Sequence, residues 1–256
     1  MSRQPTIFFG HGSPMNALGS PVADAWRALG ATLEKPRAIL AVSAHWYVPG
    51  VAVTAMEKPK TIHDFGGFPR PLYEMQYPAP GAPFLAERVA ELLAPLAVGL
   101  DLEWGLDHGT WCILAHLFPD ADIPVAQLSI DRRQPGAFHF ELGRKLAALR
   151  DEGVLIIGSG DFVHNLGAVI WQEGAAPHPW ASRFNDFVKL AITEDRPEAL
   201  FAGAAISQDA RLSIPTPEHF WPLLYVLGAR GEGDTTRFIT DRVDMGAISM
   251  TGVVLG

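Results

Sequence analysis

The sequence predicts an α/β protein, a single layered α/β/α domain over residues 1–256, with a central mostly parallel or mixed sheet flanked by helices. Two observations predict this class. Short apolar runs of strand length alternate along the chain with longer segments of helical period. Most of the short runs are apolar and β-branched at consecutive positions, which is typical of strands covered on both faces. With 256 residues, 48% of them hydrophobic, the chain is long enough to bury a sizeable core.

The strands and helices follow from these two patterns. Apolar runs predict strands at residues 6–9, 38–43, 51–55, 123–129, 154–157, 236–239 and 248–254. Segments of helical period predict helices at residues 22–33, 83–96, 110–117, 138–150, 180–193 and 217–227. Pro83 and Pro217 suit the first helical position, and Gly109 precedes the helix that begins at Thr110.

Residues 57–82 form a long stretch without a regular period, rich in proline, glycine and aromatic residues. Irregular segments of this length are uncommon in compact domains and are usually binding loops or lids. A linker between domains would be polar and would not carry several aromatic side chains close to prolines. We therefore expect this segment, called the aromatic loop below, to fold over a pocket.

Composition excludes several classes of function. The net charge is −8, and lysine and arginine do not cluster, so nucleic acid is not expected as a partner. Cys112 is the single cysteine, which excludes an intramolecular disulfide and a cysteine-based zinc finger. No segment approaches the roughly 18 consecutive apolar residues that a membrane span needs. We expect a cytoplasmic protein, a monomer or small homo-oligomer, without a membrane partner.

Four of the nine histidines stand where a predicted strand ends or a predicted helix starts: His11, His45, His164 and His219. Side chains at the carboxyl ends of neighbouring parallel strands converge on one crevice. Three imidazole ligands that leave open positions are typical of a catalytic metal, and His11, His45 and His219 meet that requirement. Any one of them alone would as readily be a hydrogen-bonded histidine without a metal.

Two further residues, Glu218 and His108, leave alternatives open. Glu218 adjoins His219, and two histidines with one carboxylate form the facial triad of non-haem Fe(II) oxygenases. Because adjacent helical residues point about 100° apart, only one of the two is expected to bind a metal, and we favour His219. His108 precedes a predicted helix, where it is either a proton carrier or a structural residue bonded to Asp107.

Six segments, in order along the chain, resemble the class III extradiol ring-cleaving dioxygenase family, and most closely its 4,5-DOPA extradiol dioxygenase branch. They are Gly10-His-Gly-Ser-Pro-Met, Ser43-Ala-His-Trp, His63-Asp-Phe-Gly-Gly-Phe-Pro with Leu72-Tyr and Tyr77-Pro-Ala-Pro-Gly, Gly105-Leu-Asp-His-Gly-Thr-Trp, Gly158-Ser-Gly-Asp-Phe-Val-His-Asn-Leu, and Thr216-Pro-Glu-His-Phe. Since the matches spread over residues 6–230, the resemblance does not depend on one short motif.

The resemblance implies one catalytic domain that inserts both atoms of O2 next to the diol of a catechol-type, DOPA-like aromatic at a mononuclear non-haem metal. It implies that His11 and His45 bind the metal, with a third ligand from the segment of His219. His108 and His164 would lie by the substrate, with His164 either a further metal ligand or the acid–base group. The metal would be Fe(II) for ring cleavage, with Zn(II) as a bound or substituted metal, since zinc has no accessible redox change.

An aromatic substrate would also suit the aromatic loop. Its candidate substrate-binding residues are His63, Phe65, Tyr73 and Tyr77, together with Phe68, and Arg70 or Lys60 would meet a substrate carboxylate. The alternative is that these aromatic side chains only anchor the loop to the core.

Two other functions remain open at this level. A zinc hydrolase would use the same ligands, with metal-bound water attacking an ester or amide and His164 or Glu218 as the base. A non-catalytic binding protein is the second, because the related Memo family resembles this fold. Five histidines in one set favour a working site over a binding module.

Overall fold

The computed structural model describes residues 2–172 and 174–256. Within these ranges the strands β1 to β10 are, in chain order, Thr6–Gly10, Ala38–Val48, Val51–Thr54, Val98–Asp101, Val125–Asp131, Val154–Gly160, Thr236–Ile239, Val243–Asp244, Ile248–Ser249 and Gly252–Leu255. The helices α1 to α9 are Pro21–Gly30, Arg70–Glu74, Pro83–Leu93, His108–Leu117, Gly136–Leu146, Ala148–Asp151, Pro179–Thr193, Gln208–Ser213 and Trp221–Gly228. Short 3-10 helices occupy Pro14–Leu18, Leu166–Ala168, Pro197–Leu200 and Gly203–Ala205.

Eight strands form one mixed sheet in the order β4-β3-β5-β2-β6-β1-β10-β7. Its centre, β5-β2-β6-β1, is parallel, while β10 runs antiparallel to β1 and β3 runs antiparallel to β5. The pair β8 and β9 forms a separate two-stranded sheet. The prediction of an α/β fold with a mixed sheet is therefore confirmed, and the carboxyl ends of β2, β6 and β1 lie side by side.

The sheet is covered by helices on both faces, and successive strand residues alternate between the two layers. On β1, Phe8 packs into the core that includes α3, α5, α7 and α9, whereas Ile7 and Phe9 pack into the core that includes α1 and α4. Burial on both faces explains why the central strands read as continuous apolar runs. Among the described residues, we find no helix with the length and apolarity that crossing a bilayer requires.

Several predicted boundaries were wrong. Strand β2 continues to Val48, five residues beyond the predicted end, and its pairing with β5 shifts register between Val42 and Tyr47. The predicted strand 248–254 divides into β9 and β10, which belong to different sheets. The predicted helix 138–150 divides into α5 and α6. These breaks depend on tertiary pairing, which apolar periodicity does not encode.

Two predicted helix starts were also wrong. Helix α9 begins at Trp221, because the N–H groups of Phe220 and Trp221 first bond to the Pro217 carbonyl in a turn, at 3.0 and 3.1 Å. Helix α4 begins at His108, where the Asp107 side chain accepts a hydrogen bond from the Thr110 N–H at 3.2 Å. Strand β4 and helices α2 and α8 were not predicted, since each is six residues or fewer and carries no clear period.

Candidate metal centre

Three histidines meet where the central strands end. His11 follows β1, His45 lies in the bulged part of β2, and His219 lies in the turn before α9. The turn that carries His219 lies directly against the end of β6, since the Asp161 N–H donates to the His219 carbonyl at 2.9 Å. A Cβ atom at Gly160 would lie 2.0 Å from that oxygen, so glycine is required there. The bulge similarly turns His45 toward the strand ends.

The ring of His11 is held in one orientation by a chain of hydrogen bonds. Its Nδ1 lies 2.8 Å from the Ser159 hydroxyl oxygen. That hydroxyl donates its only hydrogen to the Gly109 carbonyl, so it accepts from His11. The proton of the neutral ring therefore sits on Nδ1, and the Nε2 lone pair is free to bind a cation.

The other two rings each have a carboxylate next to Nδ1. His45 Nδ1 lies 3.2 Å from Asp64 Oδ2, and His219 Nδ1 lies 3.1 Å from Glu218 Oε1. A carboxylate accepts a hydrogen bond from Nδ1–H, which keeps the proton on Nδ1 and leaves Nε2 unprotonated, the arrangement typical of metal-binding histidines. Glu218 Oε1 also accepts the Thr216 hydroxyl at 2.7 Å. Its carboxylate thus lies behind the ring of His219.

The arrangement of these side chains fits a divalent metal. The ligand nitrogens of His11, His45 and His219 all lie within 4.8 Å of one another, and the Nε2 atoms of His11 and His45 are 3.3 Å apart. With both protons on Nδ1, the two Nε2 lone pairs face each other, and a cation between them would relieve their repulsion. The fully buried Asp161 has Oδ2 without a hydrogen-bond partner, 3.8 Å from His11 Nε2. A cation at this point would satisfy that oxygen as well.

The imidazoles are in the protonation state that metals bind. Burial, followed by the neighbouring histidines, holds the pKa of His11 and of His219 well below the ordinary value. Burial and the nearby His108 lower the pKa of His45 to about 3, against the opposing charge of Asp64. These rings are therefore neutral at pH 7 and bind metal without first releasing a proton to solvent.

His108 and His164 stand beside the three. His108 opens α4; its N–H bonds to Asp64 Oδ1 at 2.9 Å, and its Nδ1 lies 3.0 Å from the same oxygen. The half-buried His164 stacks on His219 with ring centroids 3.5 Å apart and planes 6° apart. Burial lowers the pKa of His164 to about 4, with Glu218 raising it and His108 lowering it further. Both histidines therefore lie against the three-histidine cluster, since the ring centroids of His108 and His45 are 3.9 Å apart.

All five histidines line one cavity of about 330 Å³. The rest of its wall is formed by Gly12, Ser13, Pro14, Phe65, Gly66, Phe68, Leu166, Val169, Trp171, Met245 and Ile248. As predicted, the aromatic loop contributes to a pocket, through Phe65, Gly66 and Phe68. The rings of Phe65 and His108 pack at an interplanar angle of 81°, with ring centroids 5.5 Å apart.

The other candidate substrate residues lie outside this wall. His63 Nε2 lies 2.9 Å from the Met75 carbonyl, within the loop. Tyr73 packs on Phe65 at 5.1 Å, and its hydroxyl accepts the Phe68 N–H at 3.4 Å. Tyr77 is buried and donates its hydroxyl to the Phe118 carbonyl at 2.9 Å. These three side chains brace the loop that carries Phe65.

Sequence reasoning assigned no role to three polar side chains of the site. Asp64 directly follows His63, and Ser159 and Asp161 lie in the same quoted motif as His164. The available signals were an aspartate beside a candidate histidine and, for Asp161, an aspartate directly after a strand end. Their roles depend on contacts across the fold, and Asp64 in particular contacts both His45 and His108 with its two oxygens.

Asp64→Asn is expected to lower metal affinity or activity by roughly 10- to 100-fold, because an amide offers one accepting oxygen to two rings. The other ring then faces an NH2 group and loses its partner. Metal affinity measured by competition with a chelator, together with kcat, would show this. Glu74→Gln is the matched control, since Glu74 pairs with the exposed Arg70 on the same loop. Equal metal affinity in both variants would contradict the role of Asp64.

Comparison with known proteins identifies a family whose model matches nearly the whole chain. A family model described as the catalytic LigB subunit of aromatic ring-opening dioxygenase matches residues 4–256. A protein of Escherichia coli (strain K12) named 4,5-DOPA dioxygenase extradiol is 51% identical over 259 aligned residues, covering 100% of this chain and 96% of the relative. A protein of Beta vulgaris with the same name is 40% identical, covering 95% of this chain and 93% of the relative.

A solved structure agrees with these relatives. The crystal structure of an uncharacterized protein from Escherichia coli K12 superposes with a TM-score of 0.86 at 46% sequence identity. The match covers 99% of this chain and 100% of that one. The similarity therefore extends over the sheet, both helical layers and the segments that carry the five histidines.

Proposed function

Because the chain belongs to the family of the catalytic LigB subunit of aromatic ring-opening dioxygenase, we propose that it opens a catechol-type ring at a metal held by His11, His45 and His219. Ring opening of the extradiol type follows from the family; the substrate, the metal and the residue roles are the proposal. The observation that carries it is the convergence of three imidazole rings whose ligand nitrogens lie within 4.8 Å of one another. Each ring has an oxygen atom within 3.2 Å of its Nδ1.

We propose ferrous iron as the working metal. Bound iron supplies the redox change that dioxygen chemistry needs, which zinc lacks although it accepts imidazole ligands readily. The buried carboxyl of Asp161 supports a dication here, since burial raises its pKa well above the ordinary value and a nearby cation would stabilise its charged form.

His108 is proposed as the group that accepts a proton from the catechol. Its Nδ1 lies 3.0 Å from the Asp64 carboxylate, which stabilises the imidazolium formed when Nε2 takes the proton. His164, neutral at pH 7, lines the same cavity and orients the diol by hydrogen bonding, while His108 returns the proton that it took from the catechol during ring opening. Phe65 forms a flat wall beside His108 against which the aromatic ring stacks.

DOPA, the substrate in the names of the relatives, is the first catechol to test. The overall reaction breaks the ring carbon–carbon bond next to the diol and places one oxygen atom of O2 on each carbon, giving a ring-opened semialdehyde. No further reductant is consumed, because the catechol itself supplies the electrons.

The protein is stripped of metal, reconstituted anaerobically with Fe(II) or with Zn(II), and given L-DOPA or catechol in air. We expect oxygen consumption and a yellow product with iron, and neither with zinc. Catechol-independent hydrolysis of an ester by the zinc form, without oxygen uptake by the iron form, would contradict the proposal and favour a hydrolase.

A further inference from the structure

A tight turn joins β8 to β9 at one side of the cavity. The Ala247 N–H donates to the Asp244 carbonyl at 3.2 Å, so Met245 and Gly246 are the two central residues of this turn. Their φ angles are 49° and 78°. Two positive φ angles in succession are the pattern of a type I′ turn, which favours asparagine, aspartate or glycine at its central positions. Gly246 agrees with that preference, and Met245 does not.

Methionine in a left-handed conformation costs free energy, because its Cβ atom crowds the backbone. Among the described residues, three others besides glycine have a φ in this region: Ala121, Asp195 and Thr240. None of these three lines the histidine cavity, whereas Met245 does. Backbone strain of this kind persists where the surrounding structure imposes it, and it clusters at active sites and ligand contacts. The position of Met245 therefore calls for a functional reason.

The turn is held in its conformation by the segment that follows His164. Three backbone N–H groups of that segment donate to the carbonyls of residues 245–247. Ile248, directly after the turn, forms an isolated β-bridge with His164 and lines the same cavity. The three bonds run from Ile170 to Met245 at 2.9 Å, from His178 to Gly246 at 2.9 Å, and from Asn165 to Ala247 at 3.1 Å. The backbone of Met245 is thus fixed relative to His164.

The turn alone does not explain a methionine, because asparagine would suit its backbone better. The cavity offers the explanation, since the half-buried Met245 forms part of its wall. A methionine side chain has three rotatable bonds and a polarizable thioether, and a sulfur atom about 5 Å from an aromatic ring makes a favourable contact with it. The proposed substrate brings such a ring into the cavity.

We propose that Met245 is a substrate-binding residue whose thioether packs against the aromatic ring of the bound catechol. This inference rests on the proposed function, since the diol must face the candidate metal for the ring to lie in this cavity. Because the contact is with the ring itself, it applies equally to catechol and to L-DOPA. The strained turn then has a role, which is to hold the thioether at the cavity wall.

Anaerobic calorimetric titration of the Fe(II)-loaded protein tests this contact without turnover. Met245→Asn is expected to raise the dissociation constants of catechol and of L-DOPA by roughly three- to tenfold, with metal content unchanged. Met245→Leu keeps an apolar side chain of similar volume and should stay within about twofold of the wild type.

Ala121→Asn is the matched control, because it places the same residue at a φ of 50° outside the cavity wall. It should leave both dissociation constants unchanged, and thermal melting checks that all three variants fold. Wild-type binding by Met245→Asn would overturn the inference. Equal losses in Met245→Asn and Met245→Leu would do the same, because they would locate the effect in the turn and not in the side-chain contact.

Oxygen uptake separates this inference from the proposed function. Weaker catechol binding by Met245→Asn, without oxygen uptake by the wild type, would support the role of Met245 and contradict the dioxygenase proposal. Oxygen uptake with the same KM in the wild type and in Met245→Asn would overturn the inference and leave the proposed function in place. A wild-type protein that binds no catechol would overturn both.

Discussion

His11→Ala is expected to lose its metal and to retain less than about 1% of the wild-type ring-opening activity, a larger loss than for a residue that only supports a ligand. The reason lies in the geometry of the ring. Its Nδ1 is fixed by Ser159, so that Nε2 faces the Nε2 of His45 at 3.3 Å. Alanine removes one of three converging nitrogens, and neither Ser159 nor Gly109 supplies a replacement. Metal analysis after reconstitution, with oxygen consumption on catechol, measures both effects.

His139→Ala is the matched control. His139 is equally buried, lies on α5 in the other half of the fold, and bonds to the Tyr225 hydroxyl at 3.0 Å. Both variants lose a buried imidazole, so both lower the free energy of unfolding, but only His11→Ala should lose the metal. Full metal occupancy in His11→Ala, or equal metal loss in both variants, would contradict the assignment of His11.

His108→Gln is expected to lower kcat by about 10²- to 10⁴-fold while metal content stays at the wild-type level. Glutamine keeps a polar group near Asp64 but cannot accept and hold a proton. His164→Gln should also lower kcat, and the two variants should differ in pH dependence. Burial gives His164 a pKa of about 4, so its neutral form persists as pH falls and is lost only near pH 4.

The pH profile of kcat/KM therefore distinguishes the two histidines. Between about pH 5 and 8 the shape of the profile should survive in His164→Gln, since that side chain does not titrate there. It should change in His108→Gln, which removes the proposed proton acceptor. An unchanged profile in His108→Gln, with a changed one in His164→Gln, would exchange the proposed roles.

Much of the site was accessible from local sequence. His11, His45, His108, His164 and His219 each stand close to the end of a predicted strand or the start of a predicted helix, and the neighbouring parallel strands bring these points together. This inference needed only the rule that carboxyl ends of parallel strands share an edge. The cavity wall formed by Phe65 and Phe68 was likewise expected from the composition of the aromatic loop.

Other features depended on contacts between distant segments. Tyr77 looks like a substrate residue in the sequence, yet its hydroxyl donates to the Phe118 carbonyl, 41 residues away. Asp64 attracted no attention in its motif, yet its two oxygens contact rings from β2 and α4. The shift in register that turns His45 inward arises from the pairing of β2 with β5.

The sequence by itself determined the alternation of strands and helices, the two-sided burial of the central sheet and the chemical type of the site, because periodicity and residue chemistry are local properties. Only the tertiary structure decided which partner each polar group has, where β2 ends, and which side chains face the cavity. These depend on the register of strands and on loops that meet across the fold, and a shift of one residue would turn each side chain to the opposite face.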